Sequence, residues 1–296
     1  MTYEPLSIAV FSDIHSNHIA LEACLEYVLK RGITTFIFLG DYVADMANPQ
    51  KTMQLLYQLK DKYTCYFIRG NKEDYWLNYK YNRKETWSKG STGSLLYNYE
   101  RLTEKDFALF KELPIARTLS FPHLPSITIC HGSPYSTTEG IRTDNERAFE
   151  IMDNNDTSVI LCGHTHIQKE ITQNQKMVLN GGSVGAAYNS NGLSQFMLLH
   201  GEDGAWMHEF ISLEYDNEKA IEELMQSELL EYAPHWSIIT ANVIRRGTPS
   251  HGTVLTEAMR LCEEETGQSS WNDIPDKFWE QAIKNLINEI YDMPRK

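Results

Sequence analysis

The chain has 296 residues, of which 42% are hydrophobic and 23% are charged, and its formal net charge is −13. This composition is typical of a soluble globular protein with one large core, and the acidity argues against long DNA or RNA as a partner. No apolar run approaches the ~18 residues of a membrane span, and no basic segment precedes an apolar one at the N-terminus. We therefore expect a cytoplasmic protein that contacts neither a membrane nor long nucleic acid.

The five cysteines are scattered and include no CxxC pair. An odd number of isolated cysteines fits buried thiols in a reducing compartment better than a disulfide framework. The same spacing argues against a metal site built on thiolates.

Short apolar runs and helical patterns alternate over the first part of the chain. Strands are predicted in LSIAVF, TTFIFLG and CYFIRG, separated by a helix at 19–31 that Gly32 stops and by a helix from Pro49 to about Asp61. The segment 72–113 is rich in Tyr and Trp and mostly helical in pattern, and a capped helix is predicted to end at Pro114.

Strands return in SITICHG and SVILCGH, with a helix at 146–152 between them. Apolar and polar residues then alternate in KEITQNQKMVLN, LSQFMLLH and AWMHEFISLEY, which is typical of antiparallel hairpins. This order predicts an α/β, or α+β, fold in which a two-sheet β-sandwich is flanked by helices. Helical patterns follow Tyr215, so we divide the chain into a catalytic domain at 1–216 and a helical C-terminal extension at 217–296 that packs on it.

Five short polar motifs follow apolar strand candidates: SDIHSN, GDYV, GNKED, HGSP and GHTH. Ligands of open α/β sheets bind beyond the carboxyl ends of the strands, so we expect five strand ends on one sheet to bring the polar side chains of these motifs together. These side chains are Asp13, His15, Asp41, Asn71, His131, His164 and His166. They supply oxygen and imidazole donors, a set that suits Mn, Fe, Zn or Mg.

Such a donor set suits the hydrolysis of a phosphate ester. The charge of the ester repels nucleophiles, and two ions about 3.5–4 Å apart bind its oxygens, convert a shared water to hydroxide and stabilise the leaving oxygen. A bridging carboxylate holds such a pair, and Asp41 is the natural candidate. Each motif is weak alone, and only their order at successive strand ends predicts a metal site.

In this order the five motifs resemble those of the calcineurin-like metallophosphoesterases, most closely the compact bacterial phosphodiesterase-like branch. The resemblance covers roughly residues 8–215 and includes NGGSVG at 180–185, which is similar to the NPGSVG turn of that branch. The family fold, a β-sandwich flanked by helices, agrees with the pattern of strands and helices described above.

The resemblance implies two divalent or trivalent metal ions, with Mn²⁺ as the first expectation and Fe, Zn or Mg as alternatives. It implies that Asp13, His15, Asp41 and His166 hold one ion, and that Asp41, Asn71, His131 and His164 hold the other. Asp41 would bridge them, and Asp41, Asn71 and His131 would take part in catalysis as a metal-bound hydroxide attacks phosphorus in line.

Two motifs differ from those of many relatives. Where many relatives have a histidine that is thought to protonate the leaving group, this chain has Lys72. Lys72 would bind an anionic substrate, act as an acid with a lowered pKa, or be a solvated lysine in an enzyme without that acid. In the first motif Ser16 replaces a glycine, Asn17 is expected to support or contact the phosphate, and His18 either reaches the site or is structural.

Aromatic residues are concentrated in two places outside the motifs. The stretch YWLNYKYNRKETW at 75–87 would stack on a nucleobase, pack helices or form a subunit interface. The C-terminal segment contains Trp236, Trp271 and Trp279 and would complete the fold, shape a substrate pocket or form an oligomer contact. A homo-oligomer is therefore one of the alternatives that the sequence allows.

The leading hypothesis is a two-metal-dependent phosphohydrolase that cleaves phosphodiester or phosphoanhydride bonds of a small nucleotide-like substrate. Dinucleoside polyphosphates are the example that family analogy offers. One alternative is a catalytically weak or inactive protein that uses the fold as a binding or scaffold module, against which the intact ligand set argues. A metal-dependent nuclease is the other, and the acidic net charge argues against long substrates.

Overall fold

The computed structural model describes residues 6–82, 86–142 and 146–287. The strands are β1 (Leu6–Phe11), β2 (Thr35–Phe38), β3 (Thr64–Phe67), β4 (Ala116–Leu119), β5 (Ile127–Cys130), β6 (Val159–Cys162), β7 (Gln168–Gln173), β8 (Lys176–Gly181), β9 (Ser194–Glu202) and β10 (Ala205–Leu213). The helices are α1 (His18–Leu29), α2 (Pro49–Lys62), α3 (Asn71–Tyr81), α4 (Gly93–Arg101), α5 (Glu104–Glu112), α6 (Glu146–Asp153), α7 (Asn217–Met225), α8 (Leu229–Tyr232), α9 (Pro234–Arg246), α10 (His251–Thr266) and α11 (Asp276–Leu286).

The strands form two five-stranded sheets, in the orders β10-β9-β1-β2-β3 and β4-β5-β6-β8-β7. In the first sheet β1, β2 and β3 are parallel, and the β9–β10 hairpin joins antiparallel to β1. In the second sheet β5, β6 and β8 are parallel, and β4 and β7 are antiparallel edge strands. The parallel strands of each sheet therefore end at a common edge, where the loops that follow them lie side by side.

Side chains alternate across β1 and place the two sheets face to face. Ile8 and Val10 belong to a core cluster with residues of the second sheet, whereas Ala9 and Phe11 pack with Leu21 of α1 on the other side of the strand. Successive side chains of any strand point to opposite faces, and in β1 both faces are covered by apolar residues. The result is a helix–sheet–sheet–helix arrangement in which each fully buried Val, Leu, Ile, Phe or Met side chain contributes about 1.5–3 kcal/mol.

The predicted two-sheet sandwich flanked by helices is confirmed, but the expectation that the five strand ends share one sheet is wrong. The first three motifs follow strands of the first sheet, and the last two follow β5 and β6 of the second. The two sheets pack face to face, so the strand ends of one sheet lie opposite those of the other. The five motifs therefore meet although they belong to two sheets.

Two elements lie outside the sequence expectations. Strand β4 is a short edge strand with the sequence ARTL, and its two middle residues are exposed, so it carries no apolar run. Helix α9 begins at Pro234, in the first helical turn where proline is favoured, and its many β-branched residues weaken the helical signal. Its buried face makes it the centre of the C-terminal helices.

The C-terminal helices pack on the sandwich through two apolar clusters. Residues of α7, α8 and α9 join Ile19 and Met46 in one cluster, and residues of α9, α10 and α11 join Ala186 in the other. The division between residues 216 and 217 stays a prediction, although Asp216 does cap α7 by accepting a hydrogen bond from the backbone N–H of Lys219. Among the helices of the described ranges, none combines the length and apolarity that a membrane crossing requires.

Most of the aromatic stretch at 75–87 packs helices. Trp76 is fully buried, and Trp87 is nearly so. The ring of Tyr79 stacks on that of Trp87, with centroids 4.0 Å apart and planes 6° apart. Of the described residues in this stretch, Tyr75 and Tyr81 remain exposed, at 36% and 56%.

Replacing Leu224 of α7 by Ala is expected to lower the free energy of unfolding by about 2–5 kcal/mol, because the side chain is fully buried and its removal leaves a cavity. Urea unfolding at unchanged m value measures the loss. Glu222→Ala, at an exposed position of the same helix, is the control and should change stability by at most about 0.5 kcal/mol. Equal stability of the two variants would contradict the packing of α7.

Candidate metal centre

All seven predicted ligands lie shortly after the ends of strands, six in loops and one at the start of a helix. Asp13 and His15 follow β1, Asp41 follows β2, Asn71 begins α3 after β3, His131 follows β5, and His164 and His166 follow β6. Six of them are buried, and His164 is half-buried. The structure brings all seven together, and their assignment as metal ligands stays a prediction that the following geometry supports.

Asp13, His15 and His166 form a first group. The Oδ1 atom of Asp13 lies 3.2 Å from Nε2 of His166 and 3.8 Å from Nε2 of His15. The imidazole rings of His15 and His166 meet edge to face, with centroids 4.7 Å apart. One donor atom from each residue lies within 4.8 Å of the others, which is the spacing of ligands around a single cation.

Asn71, His131 and His164 form a second group. The Oδ1 atom of Asn71 lies 2.9 Å from both Nε2 of His131 and Nδ1 of His164. Asp41 lies between the two groups, because its Oδ1 is 3.5 Å from Nε2 of His131 and its Oδ2 is 3.6 Å from Nε2 of His15. The two oxygens of one carboxylate thus face different groups, as a bridging ligand requires.

The hydrogen-bonding state of these atoms fits a cation. Within the described residues, Oδ1 of Asp13 and Nε2 of His15 are buried and have no hydrogen-bond partner. Buried polar atoms without partners cost free energy. Oδ1 of Asp13 also lies 3.9 Å from Nε2 of His131, and Nε2 of His15 lies 3.6 Å from Oδ2 of Asp41. The donor set, carboxylate, amide oxygen and imidazole, therefore fits divalent cations such as Mn²⁺, Zn²⁺ and Fe²⁺.

Contacts behind the ligands orient three of the imidazoles. Nδ1 of His131 donates to the carbonyl of Leu39 at 2.7 Å, and Nδ1 of His166 donates to the carbonyl of Ala186 at 2.7 Å. Nδ1 of His15 lies 2.7 Å from Oδ2 of Asp45. Hydrogen bonds of this kind fix the orientation of each ring, so that its Nε2 faces the other predicted ligands.

The backbone of the ligand loops is strained. Asp13, His15, Asp41, His164 and His166 all have positive φ, between 51° and 66°. Such conformations are uncommon for residues other than glycine and cluster at functional sites. The loops hold one another in place: the N–H of Asp13 donates to Gly40, and the N–H of His15 donates to Asp41.

Glycines permit this close approach at two places. Gly40 has a φ of +92°, and a Cβ there would lie 2.5 Å from the backbone nitrogen of Gly70. A Cβ on Gly163 would collide with Oγ of Ser12 and lie 2.7 Å from Oδ2 of Asp13. Larger residues at either position would therefore displace the loops that carry the ligands.

Glu73 is a supporting residue that was not predicted. Its carboxylate accepts hydrogen bonds from the backbone N–H groups of Asp41, Tyr42 and Gly70, at 2.9, 3.0 and 2.8 Å. Burial and the nearby Asp41 carboxylate raise its pKa to about 7. The signal in the sequence is its position three residues after Gly70 at a helix start, which is the spacing of a capping box.

Charges within the site compensate one another. Burial alone would disfavour the Asp13 carboxylate, but His166 and His131 outweigh it and hold the pKa of Asp13 well below its usual range. Burial likewise opposes the charging of His15, and the carboxylates of Asp13 and Asp45 overcome it and raise the pKa of His15 to about 10. In contrast, burial and the neighbouring His131 lower the pKa of His164 to about 4.

Three further residues that sequence reasoning missed connect the site to its surroundings. Asp45 accepts a hydrogen bond from Nε1 of Trp236 at 2.8 Å in addition to its contact with His15. The ring of Tyr188 stacks on that of His166, with centroids 4.7 Å apart and planes 18° apart, and its hydroxyl lies 3.2 Å from Nδ1 of His251. No short motif marks these positions, because their partners lie up to about 190 residues away in the sequence.

A cavity of about 140 Å³ opens onto the ligands. Lys72, Trp236 and His251 contribute to its lining, together with ligands from both groups. Burial opposes the charge of Lys72, but Asp45 and Asp41 raise its pKa, so its ammonium stays protonated at neutral pH. The structure therefore places Lys72 where an anion bound at the ligands would lie.

Asn17 and His18 lie behind the site. The Asn17 side chain caps α1 by accepting from the N–H of Ala20, and it donates to the carbonyl of Gly185 and the hydroxyl of Tyr215. These contacts are those of a structural residue, and a direct role of Asn17 with the phosphate stays a prediction. His18 contacts Lys51 and Glu223, away from the cavity-lining side chains.

Asp45→Asn is expected to weaken Mn²⁺ binding about 10- to 100-fold, because the variant loses the charged partner that orients His15 while all seven predicted ligands remain. Calorimetric titration of metal-stripped protein with Mn²⁺ measures the change. Asp203→Asn, at an exposed turn, is the matched control. Equal affinity of both variants and the native protein would show that Asp45 does not support the site.

Comparisons with known proteins agree with the overall fold. The uncharacterized protein MJ0912 of Methanocaldococcus jannaschii is 25% identical over 240 residues, which are 76% of this chain and 94% of that protein. The fold is similar to that of the hypothetical protein PH1004 from Pyrococcus horikoshii OT3, with a TM-score of 0.69 and 20% identity over 83% of this chain and 100% of that one. It is also similar to a metallophosphoesterase from Sphaerobacter thermophilus, with a TM-score of 0.63 and 17% identity over 82% of this chain and 99% of that one.

The family match covers most of the sandwich and all five motifs. Residues 6–204 match the calcineurin-like phosphoesterase superfamily domain. That range includes every predicted ligand and ends before the C-terminal helices. The chain therefore belongs to the calcineurin-like phosphoesterase superfamily of metal-dependent phosphoesterases.

Proposed function

We propose that the chain is a two-metal hydrolase of phosphodiester or phosphoanhydride bonds in small, nucleotide-like molecules. The position of Asp41 carries this proposal, because its two carboxylate oxygens face the two separate groups of donor atoms. Asp13, His15 and His166 would hold one ion with Asp41, and Asn71, His131 and His164 would hold the other. Mn²⁺ is the proposed metal, since carboxylate, amide and imidazole donors suit it.

When bound, the two ions would lower the pKa of water and stabilise negative charge on the oxygens of a phosphate ester. The contribution of the chain is to hold the donors rigidly. Hydrogen bonds that the rings donate to the Asp45 carboxylate and to the carbonyls of Leu39 and Ala186 fix three histidines, and Glu73 joins the loop after β2 to the start of α3. Rigid placement of charge is what such a site contributes to the transition state.

In this proposal Lys72 binds the substrate and does not act as a general acid. Its pKa is raised by Asp45 and Asp41 despite burial, whereas a general acid is most effective with a pKa near the operating pH. Without a general acid to protonate the leaving oxygen, the rate of hydrolysis falls least for bonds with good leaving groups. Phosphodiesters of acidic alcohols and phosphoanhydrides, including dinucleoside polyphosphates, are therefore the proposed substrates.

Small substrates fit this site better than long nucleic acid. Trp236 and His251 from the C-terminal helices cover part of the cavity, and the net charge of −13 repels a polyanion. All five cysteines are unpaired, which is consistent with a reducing compartment. We therefore place the proposed activity in the cytoplasm, without a membrane or nucleic-acid partner.

Reconstitution tests the proposal. Metal-stripped protein supplied with Mn²⁺ is expected to hydrolyse bis-p-nitrophenyl phosphate and diadenosine tetraphosphate faster than p-nitrophenyl phosphate. Asp41→Asn is expected to abolish turnover and the binding of two ions per chain, because the bridging anion is lost. Asp61→Asn, at an exposed position of α2, is the control and should retain both.

Two outcomes would contradict the proposal. Near-native turnover of Asp41→Asn would remove the bridging role. Two bound ions without hydrolysis of any of these esters would instead favour a binding or scaffold protein that keeps the fold and the metal site.

Lys72→Gln is expected to raise KM for the diester by about tenfold with a smaller effect on kcat, because the variant loses a cation that contacts substrate before and during reaction. Steady-state kinetics against Lys60→Gln, an exposed control on α2, measures the split. A loss confined to kcat that grows with the pKa of the leaving group would identify Lys72 as the general acid instead.

A further inference from the structure

A second cavity adjoins the metal centre. It has a volume of about 320 Å³, and Asp45, Lys72 and Trp236 line both this cavity and the smaller one over the ligands. The family match ends at residue 204, whereas much of the second cavity is formed by residues beyond it. We call it the aromatic cavity, and its further walls include Tyr75, Leu95, Leu255, Trp271 and Trp279.

The inner wall of the aromatic cavity is held rigidly. The Trp236 ring packs against His251, with centroids 4.8 Å apart, and meets Trp279 edge to face at 6.1 Å. Its Nε1 donates to Asp45, and Nε1 of Trp279 donates to Oγ of Ser91 at 3.0 Å. With their polar atoms satisfied, both indoles present apolar ring surface to the cavity.

The mouth of the aromatic cavity exposes apolar surface to water. Tyr75 is 36% exposed and Trp271 is 39% exposed, and both are among the large apolar side chains that the described structure leaves accessible. Aromatic side chains that converge on a concave surface are typical of a ligand site rather than of packing. A volume of about 320 Å³ also falls within the usual range of such sites, about 300–1,000 Å³.

The junction between the two cavities is suited to an anion that is joined to a flat ring. Lys72 lies at the junction, and its Nζ is 5.8 Å from the centroid of the Tyr75 ring. Within the described residues, Lys72 Nζ forms no ion pair with a carboxylate oxygen, although Asp45 and Asp41 are near enough to raise its pKa, so the ammonium is available to a ligand. The hydroxyl of Ser94 is 3.5 Å from Oδ1 of Asp45, at the long limit of a hydrogen bond, and can bind a polar ring edge.

We propose that the aromatic cavity binds the nucleobase, or a similar flat aromatic group, of a substrate whose phosphoryl group lies at the metal centre. This inference rests on the proposed function and adds the part of the substrate that does not react. Each base that stacks on an aromatic side chain contributes about 1–3 kcal/mol. The C-terminal helices would therefore determine which substrates bind. The stretch at 75–87 contributes Tyr75 to the cavity, whereas Trp76 and Trp87 are buried in the core.

Two esters with the same leaving group test the proposal. With Mn²⁺ bound, the full chain is expected to cleave thymidine 5′-(p-nitrophenyl phosphate) with a kcat/KM about 5- to 150-fold above that for methyl p-nitrophenyl phosphate, the effect of one stacked base. In Trp271→Ala, which removes part of the mouth, and in Leu255→Trp, which fills the cavity, this ratio should fall towards one. Phe149→Ala, an exposed aromatic position on α6, should keep the native ratio.

The outcomes separate this proposal from the function of the metal centre. Hydrolysis of both esters with equal kcat/KM, unchanged in the variants, would overturn the aromatic cavity as a base site and leave the phosphohydrolase intact. If neither ester is hydrolysed, the proposed function is wrong. Calorimetric titration with adenosine 5′-monophosphate then tests base binding by the aromatic cavity independently of hydrolysis. Binding that Leu255→Trp abolishes would support the cavity, and equal binding by that variant, or none by the native protein, would overturn it.

Discussion

The burial of two carboxylates, Asp13 and Asp41, is the constraint on which the rest of the structure depends. Both are at most 2% exposed, and the effective cost of desolvating an unpaired ion is several kcal/mol. Four histidines and an asparagine surround them, and a cation between these groups would compensate both charges. The loops that carry the carboxylates are consequently hydrogen-bonded to one another and adopt left-handed backbone conformations that only a tightly supported site maintains.

The local part of this site was predictable from the sequence, because each predicted ligand lies one to four residues beyond the end of a strand. The sandwich was predictable for the same reason, since buried apolar runs mark β1, β2, β5 and β6, whereas β7 and β10 mix buried and exposed positions. The distribution of the strand ends over two sheets was not predictable, because a hydrophobic pattern identifies a strand but does not show which strands pair with it. Asp45 and Glu73 were missed because their roles depend on contacts with Trp236 and with backbone N–H groups of another loop.

The C-terminal helices are connected to the predicted metal ligands through two chains of contacts. Trp236 donates to Asp45, and Asp45 contacts His15, which is one of the predicted metal ligands. A second connection runs from Thr240 through His251 and Tyr188 to the ring of His166. Helices α9 and α10 thus contact residues of the candidate metal centre and also line the aromatic cavity. Their loss would alter the geometry of the predicted ligands in addition to the proposed substrate contacts.

The central claim is that the chain holds two metal ions on either side of Asp41. Crystals grown with Mn²⁺ and measured at the manganese absorption edge test it most directly. The account predicts two anomalous peaks about 3.5–4 Å apart, one beside Asp13, His15 and His166 and the other beside Asn71, His131 and His164, with Asp41 contacting both. A single peak, or two peaks that Asp41 does not join, would contradict it.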